Sequence, residues 1–554
     1  MYEQDESLGS IKVSEPAEAY PTRLYTSALR RRTYALSEPR KLSMRLPQGS
    51  RNKLRKTVIS WPTLIPQQLP PNGRLYLIGC LCSIAGLLYG LDTGSVGPII
   101  VMPQFQQVAG DMSSSLQGFF VASILLSASA SSLSSGWVAD KISRRLGIAV
   151  GALIFLCGAL VSITSRHLAT FFVARLITGI GAGQTISVAS VYLVEVASAQ
   201  VRGQLACLLQ FFITVGVAAG YFICYGSQAL PSNLSWQIPF IVQAFLSAGL
   251  AFAALLVVPF SPRWLASKGH TREALAVLRQ LRMSRSHSLS GANHHEDVAI
   301  QQELTSIEAA LAAAHESAAG RSASFAELFT GRYRRRTWLG IFLMVCQQLS
   351  GIDVVLYYAP VVFSALFTSQ TASFLASGVS GIVLMVSTIP AILFVDRWGR
   401  RAPMIWGGVA MSICFFVTGG LFAAAGRASK GEEGTEGVNF TLEGPAKWIV
   451  VMLIYAFLCA FSVTWAPIVR IYAAEIVPTR LRSRAAATQQ LSNWTANFAV
   501  ALIAPLFLRA SPSGPYFLFA SCTAIVTIVC VLFVRETKGK SLEDIADMFE
   551  GRSE

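Results

Sequence analysis

The sequence predicts an all-α membrane protein in which twelve transmembrane helices form two pseudo-symmetric lobes of six helices. Three observations support this fold class. The 554 residues are 53% hydrophobic and only 14% charged, with a mean hydropathy of +0.50, a balance that excludes an ordinary soluble domain. Twelve apolar runs are long enough to cross a bilayer. Short polar motifs of the first half also recur at matching places in the second half.

The predicted helices follow one another between polar or Gly/Pro-rich breaks. They cover residues 75 to 97, 115 to 138, 147 to 164, 168 to 193, 204 to 226, 236 to 259, 337 to 360, 371 to 395, 402 to 426, 446 to 473, 486 to 509 and 515 to 534. The chain therefore divides into a disordered basic tail (1–74), a first lobe (75–260), a central loop (261–336), a second lobe (337–534) and a C-terminal tail (535–554). Helical spacing predicts short amphipathic helices in the loop around 271 to 282, 301 to 315 and 323 to 330.

The basic residues orient the protein in the membrane. Of the 45 lysines and arginines, 38 fall on the face that carries both termini, 5 on the opposite face, and two, Arg175 and Arg470, within helices. Basic loops stay on the cytoplasmic side, so both termini are predicted to be cytoplasmic. The net charge of +15 then follows from contact with anionic lipid and requires no nucleic-acid partner.

The outer loops and the cysteines bear on location. Asn233 and Asn439 begin glycosylation sequons in loops that the charge count places outside, whereas the sequon at Asn493 lies within a helix. All ten cysteines lie in apolar runs, so no disulfide framework is expected. We expect a multi-pass protein of the plasma membrane, with a vacuolar membrane as the alternative, and a monomer in the lipid bilayer.

No motif indicates an enzyme or a resident cofactor. Gly539-Lys540-Ser541 lacks the earlier glycine of a nucleotide-binding loop. The histidines show no spacing typical of a metal site, and no nucleophile stands beside a base. We therefore expect no catalysis, no metal and no cofactor.

The two halves of the chain repeat each other's polar turns. GWVADKISRR (136–145) corresponds to VDRWGRR (395–401), and YLVEVASAQVRG (192–203) corresponds to YAAEIVPTRLRSR (472–484). Any one basic turn alone could be ordinary cytoplasmic charge, but recurrence at matching positions argues against that. A parallel repeat of six helices is the layout of a transporter whose site lies between its lobes.

Taken together, the motifs resemble those of the sugar porter family of the major facilitator superfamily, and its fungal members most closely. Besides the paired turns, the resemblance rests on GLLYGLDTGS (86–95), ARLITGIGAG (174–183), PFSPRWL (259–265), QQLSGIDVVLYYAP (347–360) and RETKGKSLED (535–544), and it covers about residues 75 to 550. It implies the major facilitator fold. It also implies transport of a monosaccharide by alternating access, with proton symport.

The stretch from Gln347 to Pro360 is polar within an otherwise apolar helix. Amides both donate and accept hydrogen bonds, as sugar hydroxyls do, and aromatic rings cover apolar sugar faces. Because polar groups in lipid are costly, we expect Gln347, Gln348 and Tyr358 to line a cavity, with a helix break at Ser350-Gly351. Hydrogen bonds that only join helices are the alternative.

The resemblance implies further site residues. Its sugar contacts fall on Gln210, Gln347, Gln348, Asn493, Trp494 and Asn497, with Tyr89 as an aromatic that closes over the sugar. Three positions depart from the family pattern, since Asp353 and Leu384 replace asparagines and Arg470 replaces a tryptophan. Glucose specificity therefore does not follow from the resemblance.

Asp353 and Arg470 place opposite charges beside the expected substrate. An unpaired buried charge is costly, so one interpretation is that they pair with each other and the substrate is a neutral sugar. In the other interpretation Arg470 binds a carboxylate, and the substrate is a sugar acid such as a uronate or quinate.

Asp92 and Arg175 are charges in apolar helices that pair in proton symporters of the resembling family. The arginine keeps the acid ionised, and separation lets it take a proton, so Asp92 is the expected proton carrier. A permanent structural ion pair is the alternative.

The resemblance also implies a cytoplasmic gate of salt bridges that latch the lobes together. Its residues are Asp140, Arg144, Arg145 and Glu195 in the first lobe and Asp396, Arg400, Arg401 and Glu475 in the second. Ser143 replaces a family glycine and Phe260 a family glutamate, which predicts a weaker latch in the first lobe.

A sugar sensor that signals through its basic tail, with little transport, is the remaining alternative of a different class.

Overall fold

The computed structural model describes residues 69–110, 112–198, 201–283, 292–316, 325–331, 333–367, 369–429, 439–442, 444–477, 481–511, 513–538, 545 and 548–549. All of them belong to one unit, Pro62–Glu554. The predictions for the N-terminal tail up to residue 68 and for Gly539-Lys540-Ser541 lie outside the described residues.

Twelve helices of the described residues are long and apolar enough to span a membrane. They are Pro71–Ile100, Ser114–Ile142, Arg144–Thr164, Leu168–Val196, Gly203–Ser227, Leu234–Leu256, Arg334–Tyr357, Thr371–Val395, Arg401–Ala425, Pro445–Glu475, Arg484–Leu508 and Gly514–Phe533. Each coincides with a predicted run to within a few residues. Because the number of spans is even, Pro71 at the start of the first span and Phe533 at the end of the last lie on one face of the bundle, called the termini face below.

The described residues form nineteen α-helices in all, because two spans are interrupted and several short helices lie between spans. The helices are α1 (Pro71–Ile100), α2 (Pro103–Ala109), α3 (Ser114–Ile142), α4 (Arg144–Thr164), α5 (Leu168–Val196), α6 (Arg202–Ser227), α7 (Leu234–Leu256), α8 (Pro262–Ser267), α9 (Thr271–Arg282), α10 (Ala292–Glu316), α11 (Arg334–Gln348), α12 (Ile352–Tyr357), α13 (Ala359–Ser364), α14 (Gln370–Trp398), α15 (Arg401–Ala425), α16 (Pro445–Ala460), α17 (Ala466–Glu475), α18 (Arg482–Ala510) and α19 (Gly514–Phe533).

Strands are minor in the described part of the chain. β1 (Arg427–Ser429) pairs antiparallel with β2 (Asn439–Thr441) in the loop between α15 and α16. The predicted all-α class is confirmed for the membrane-spanning part.

The packing of the spans shows the predicted internal symmetry. Each lobe packs mainly within itself, as α1 does with α6 and α15 with α19. The lobes meet along two long helix pairs, α3 with α18 and α6 with α14. In the numbering of the spans, α3 and α18 are the second and eleventh, and α6 and α14 are the fifth and eighth. Moving six spans along the chain turns the second span into the eighth and the fifth into the eleventh, so the symmetry exchanges the two pairs. A pseudo-twofold axis therefore runs between the lobes, and a site on that axis receives side chains from both.

The central loop folds onto the termini face. The predicted helices at 271 to 282 and 301 to 315 are confirmed as α9 and as part of α10, while the third is only a 3₁₀ turn at Phe325–Phe329. Helices α8, α9 and α10 share a small apolar cluster that includes Leu265, Leu278 and Leu304. Arg282 fastens the cluster to the first lobe by donating to the carbonyl oxygen of Val196 at 3.0 Å.

Candidate functional site

The predicted polar residues converge on one cavity between the lobes. The cavity holds about 530 Å³ of space outside protein atoms, counting the part that is continuous with solvent. Nine predicted site residues line it: Tyr89, Gln210, Gln347, Gln348, Asp353, Arg470, Asn493, Trp494 and Asn497. Tyr89 and Gln210 come from the first lobe and the others from the second, so the cavity belongs to both.

A break in the seventh span presents the amides to this cavity. Helix α11 ends at Gln348, and the chain turns at Gly351, whose φ of 84° is the left-handed conformation that favours glycine. A Cβ at this position would also lie 2.7 Å from the Phe519 ring. The predicted break at Ser350-Gly351 is confirmed. It leaves Gln347 and Gln348 in the last turn of α11 and Asp353 in the first turn of α12.

Gln347 and Asn493 form a fixed wall of the cavity. The Gln347 side-chain N–H donates to the carbonyl oxygen of Trp465 at 2.9 Å, and its oxygen accepts from Asn493 at 3.1 Å. Asn493 also donates to the carbonyl oxygen of Met344 at 3.0 Å. Trp465 ends a π-helical segment, Phe461–Trp465, in which the wider turn changes the usual helical hydrogen bonding. Each amide is therefore held by a backbone carbonyl of a helix other than its own.

Other polar groups at the cavity have no partner within the described residues. Six buried side-chain atoms of lining residues lack a hydrogen-bond partner there. They are the oxygens of Gln210, Gln348, Asp353 (Oδ2) and Asn497 and the nitrogens Nε of Arg470 and Nε1 of Trp494. Four of them are acceptors and two are donors. Buried polar atoms are nearly always hydrogen-bonded in proteins, so six around one cavity indicate a site for a ligand rich in both donors and acceptors.

Aromatic side chains close the cavity on the side away from the termini. The Tyr89 hydroxyl on α1 lies 3.0 Å from that of Tyr357 on α12, and the Tyr89 ring meets Trp494 edge to face with centroids 4.9 Å apart. The Tyr221 hydroxyl on α6 donates to the carbonyl oxygen of Leu356. These contacts join the two lobes, so the structure is closed on the face opposite the termini.

Tyr358 does not line the cavity as predicted. Its hydroxyl donates to the carbonyl oxygen of Ala501 at 2.9 Å, and the neighbouring Tyr357 makes the contact with Tyr89. Successive residues of a helix point about 100° apart, and the break shifts the register in a way that the sequence does not reveal.

Several lining residues were missed by the sequence analysis, although helical spacing could have found some. Thr93 lies one turn after Tyr89, and Ile213 and Val217 follow Gln210 at three and seven residues. Phe461, in the π-helical segment, also lines the cavity and had no sequence signal.

Asp353 and Arg470 both line the cavity but do not pair directly. No nitrogen–oxygen distance between them is within 4 Å among the ion pairs of the described residues. Asp353 Oδ2 and Arg470 Nε also lack hydrogen-bond partners there, although the two charges interact electrostatically. The expectation of a mutual ion pair is therefore wrong. Leu384 is buried and does not line the cavity.

Asp92 and Arg175 form the predicted buried pair beside the cavity. Their side chains are 3% and 2% exposed, with nitrogen–oxygen distances of 3.3 and 3.4 Å. Arg175 also donates to the carbonyl oxygen of Val121 at 3.2 Å and lies over the Phe120 ring at 5.0 Å. Both charges come from the first lobe.

The polar turns at the termini face form a network in each lobe. In the first lobe, Arg144 contacts Asp140 at 2.8 Å and Glu195 at 3.1 Å. In the second, Arg400 contacts Glu475 at 3.0 Å. Each of these three ion pairs lies within one lobe, and the latch between the lobes stays a prediction. The Asp396 side chain lies outside the described set.

The second arginine of each turn contacts backbone carbonyls, not the predicted glutamates. Arg145 donates to the carbonyl oxygen of Ala254 at 2.9 Å, and Arg401 to that of Val531 at 2.7 Å.

Glu536 is a member of the second network that the sequence analysis missed. Its carboxylate accepts backbone N–H bonds from Arg400, Arg401, Thr537 and Lys538 at 2.9 to 3.0 Å, at the start of α15. Partial burial alone would raise the pKa of Glu536, but these four donors outweigh it and hold the pKa below its usual range. Glu536 belongs to the quoted RETKGKSLED motif, which was used only for the resemblance.

The first lobe has the same arrangement without the acid. Ser261 donates to Glu195 as Thr537 donates to Glu475, which makes Phe260 the counterpart of Glu536. Phe260 lies under the Arg145 guanidinium at 5.1 Å.

Ser143 and Phe260 are the two positions at which this lobe departs from the family pattern, and the second lobe shows how they are related. At the matching Gly399, a Cβ would lie 2.7 Å from the Glu536 carboxylate. With Phe260 in place of an acid, Ser143 is tolerated at a φ of 113° and caps α4 by accepting from the Leu146 N–H.

Comparison with known proteins identifies relatives along nearly the whole chain. A family model described as "Sugar (and other) transporter" matches residues 79–549. The arabinose-proton symporter of Bacillus subtilis is 31% identical over 503 residues, covering 87% of this chain and 99% of the relative. High-affinity glucose transporter 1 of Candida albicans is 30% identical over 493 residues, covering 88% of this chain and 87% of the relative.

Solved structures show a similar fold. The proton:xylose symporter XylE bound to 6-bromo-6-deoxy-D-glucose superposes with a TM-score of 0.71 at 24% identity, covering 86% of this chain and 99% of that one. A partially occluded inward-open conformation of XylE from E. coli gives a TM-score of 0.67 at 24% identity, covering 84% and 99%. At this identity the match supports the fold alone.

Proposed function

The chain belongs to the sugar transporter family, and we propose that it carries a monosaccharide across a membrane by alternating access, in symport with a proton. Its similarity to an arabinose-proton symporter and a glucose transporter supports both the sugar and the proton. The observation that carries the proposal is the set of six buried polar atoms without protein partners around one cavity between the lobes.

A monosaccharide matches the chemistry of this cavity. Each sugar hydroxyl donates one hydrogen bond and accepts others, so one ring can satisfy both the four acceptors and the two donors. The aromatic rings of Tyr89, Trp494 and Phe461 line the same cavity and can cover the C–H faces of the sugar. Gln210, Gln347, Gln348, Asn493 and Asn497 bind its hydroxyls.

Alternating access follows from the position of the cavity between two similar lobes. On the side away from the termini, Tyr89 and Tyr357 must separate before a sugar can enter or leave there. At the termini face, the networks around Arg144 and Arg400 hold the turns of each lobe in shape for docking against the other lobe. We assign the gate to these networks, with Asp396 as a further member.

Proton coupling is assigned to Asp92. Its carboxylate is buried against Arg175, and we assign proton binding to this carboxylate in a conformation that separates the two side chains. Binding of the sugar and rearrangement of the lobes would open and close this pair in each cycle.

The remaining assignments concern location. We propose that the protein resides in the plasma membrane as a monomer, with the termini face cytoplasmic and the tail 1–74 in the cytoplasm. Asn233, which is exposed before α7, is then an extracellular glycosylation site. Asn439 is the second, although its side chain lies outside the described set.

Uptake of radiolabelled sugars by the purified full-length protein in liposomes tests the proposal. We expect Gln348→Leu and Gln210→Leu each to weaken uptake at least tenfold, because each removes a polar group from the cavity. Gln301→Leu, an exposed glutamine on α10, is the matched control and should transport like wild type. Sugar binding without uptake by the wild type would favour a sensor, and neither binding nor uptake would refute the proposal.

A further inference from the structure

The cavity is lined by one carboxyl group and one guanidinium group that do not pair with each other. Asp353 on α12 is only 6% exposed, and Arg470 on α17 lines the same cavity. They lie too far apart for an ion pair, yet Asp353 Oδ2 and Arg470 Nε have no partner among the described residues. A charge in a membrane-spanning bundle is costly unless something compensates it.

The protein groups around the two charges offer only partial compensation. Tyr89 interacts electrostatically with both Asp353 and Arg470, the Asn497 side chain hydrogen-bonds to Asp353, and the two charges interact with each other through the cavity. None of these contacts satisfies the free oxygen of the acid or the free nitrogen of the base. The cavity thus offers a carboxyl oxygen and a guanidinium N–H donor at two different points of its wall.

The chemistry of this arrangement discriminates between neutral and acidic sugars. A neutral sugar can donate one hydroxyl to Asp353 and accept from Arg470 with another, so both charges gain a charge-assisted hydrogen bond. A sugar acid can pair with Arg470, but its own carboxylate then shares a small, poorly solvated cavity with Asp353 and is repelled.

We propose that Asp353 and Arg470 form a charge clamp that binds two different hydroxyl groups of a neutral monosaccharide, and that Asp353 excludes sugar acids. The inference rests on the proposed function, because it names the substrate class of the same site. Arg470 is accordingly an anchor for hydroxyls and not a receptor for carboxylates.

The first test changes the sugar and leaves the protein intact. In competition uptake with the wild-type protein, mono-deoxy derivatives of the best neutral substrate should fall into two groups. Loss of either clamped hydroxyl should weaken competition roughly 10- to 100-fold, as expected for a hydrogen bond to a charged group. If every mono-deoxy sugar competes within twofold of the parent, the clamp does not exist.

The second test changes the clamp. Wild type should be inhibited by D-glucose, D-xylose or L-arabinose and not by D-glucuronate. Asp353→Asn should weaken inhibition by the neutral sugars roughly 10- to 100-fold and admit D-glucuronate, because the repelling charge is gone. Arg470→Gln should weaken the neutral sugars without admitting the acid. Asp297→Asn and Arg279→Gln, which neutralise an ion pair between α9 and α10, are the matched controls.

The outcomes separate the clamp from the proposed function. Neutral uptake by the wild type with unchanged inhibition profiles in both variants overturns only the clamp. Preferential inhibition of the wild type by D-glucuronate overturns it in favour of a carboxylate at Arg470. Failure of the wild type to move any sugar overturns the proposed function itself. If a variant does not fold, as judged by its elution and thermal unfolding, Asp353→Glu and Arg470→Lys keep the charges. They should still exclude D-glucuronate, and its admission by either would count against the clamp.

Discussion

The pair of Asp92 and Arg175 predicts how transport responds when its acid is neutralised. Both side chains are almost fully buried, yet their contacts of 3.3 and 3.4 Å are longer than the roughly 2.7–2.9 Å usual for charge-assisted hydrogen bonds. The exposed partner Asp140 approaches Arg144 at 2.8 Å. The longer distances of the buried pair fit the proposal that it opens in each cycle.

Replacement of Asp92 by asparagine should destabilise the protein only slightly but should abolish the coupling of sugar transport to the proton. Asparagine keeps an acceptor, and Arg175 keeps its contacts with Val121 and Phe120, so we expect a loss of about 1–2 kcal/mol, less than the ~3–5 kcal/mol for removing a buried partner outright. One proton that moves down a gradient of about two pH units supplies ~2.7 kcal/mol, enough for roughly 100-fold accumulation of sugar. The variant should accumulate none.

Liposomes with an imposed pH gradient measure this effect. Wild type should concentrate labelled sugar, while Asp92→Asn should only equilibrate it and should still exchange preloaded for external sugar. Asp297→Asn, on the surface helices, is the control and should behave like wild type. Continued uphill accumulation by Asp92→Asn would refute the assignment of the proton to this carboxylate.

Two further predictions concern the turns at the termini face. Glu536→Ala should destabilise the protein by about 0.5–2 kcal/mol at pH 7, because the start of α15 loses its cap. Since the pKa of Glu536 lies below its ordinary value of 4.5, this difference should be complete above pH 4.5 and vanish as the pH falls through the folded-state pKa; a pH-independent difference in thermal unfolding would contradict it. Phe260→Glu alone should be destabilising and should be rescued by Ser143→Gly, with a coupling of about 0.5–3 kcal/mol in a four-protein unfolding cycle, because the matching Gly399 leaves no room for a Cβ beside the acid. Strictly additive effects would show that the two departures are independent.

The spans were predictable because each needs only length and apolar composition. The bilayer sets the length of a helix, so the run at 371 to 395 and the observed Thr371–Val395 coincide. The break in the seventh span was predictable as well, since Ser350-Gly351 interrupts a helix at the point where polar side chains cluster. Short helices such as α2 and α8 and the π-helical segment Phe461–Trp465 depend on tertiary packing and left no comparable pattern.

The site was predicted as a set of residues but not as a set of contacts. Gln210, Gln348 and Asn497 meet at one cavity as expected. Whether Asp353 reaches Arg470, however, depends on the rotation and separation of two helices that are far apart in sequence. The wrong prediction that Tyr358 lines the cavity has a similar cause, since a shift of one residue along a helix rotates a side chain by about 100°.

In the networks at the termini face, too, the residues were predicted better than their contacts. The acids and arginines that meet within each lobe are close to the repeated motifs, and these were found. Glu536 was missed because its role is to accept from backbone N–H groups, and such a contact depends on how the chain after α19 returns to the α14–α15 turn.

A structure of the full-length protein determined with a bound neutral monosaccharide would test the central claim most directly. The account predicts one sugar between the lobes, within hydrogen-bond distance of Gln210 from the first lobe and of Gln348 and Asn497 from the second. A sugar that contacts side chains of one lobe only, or that binds outside this cavity, would contradict it.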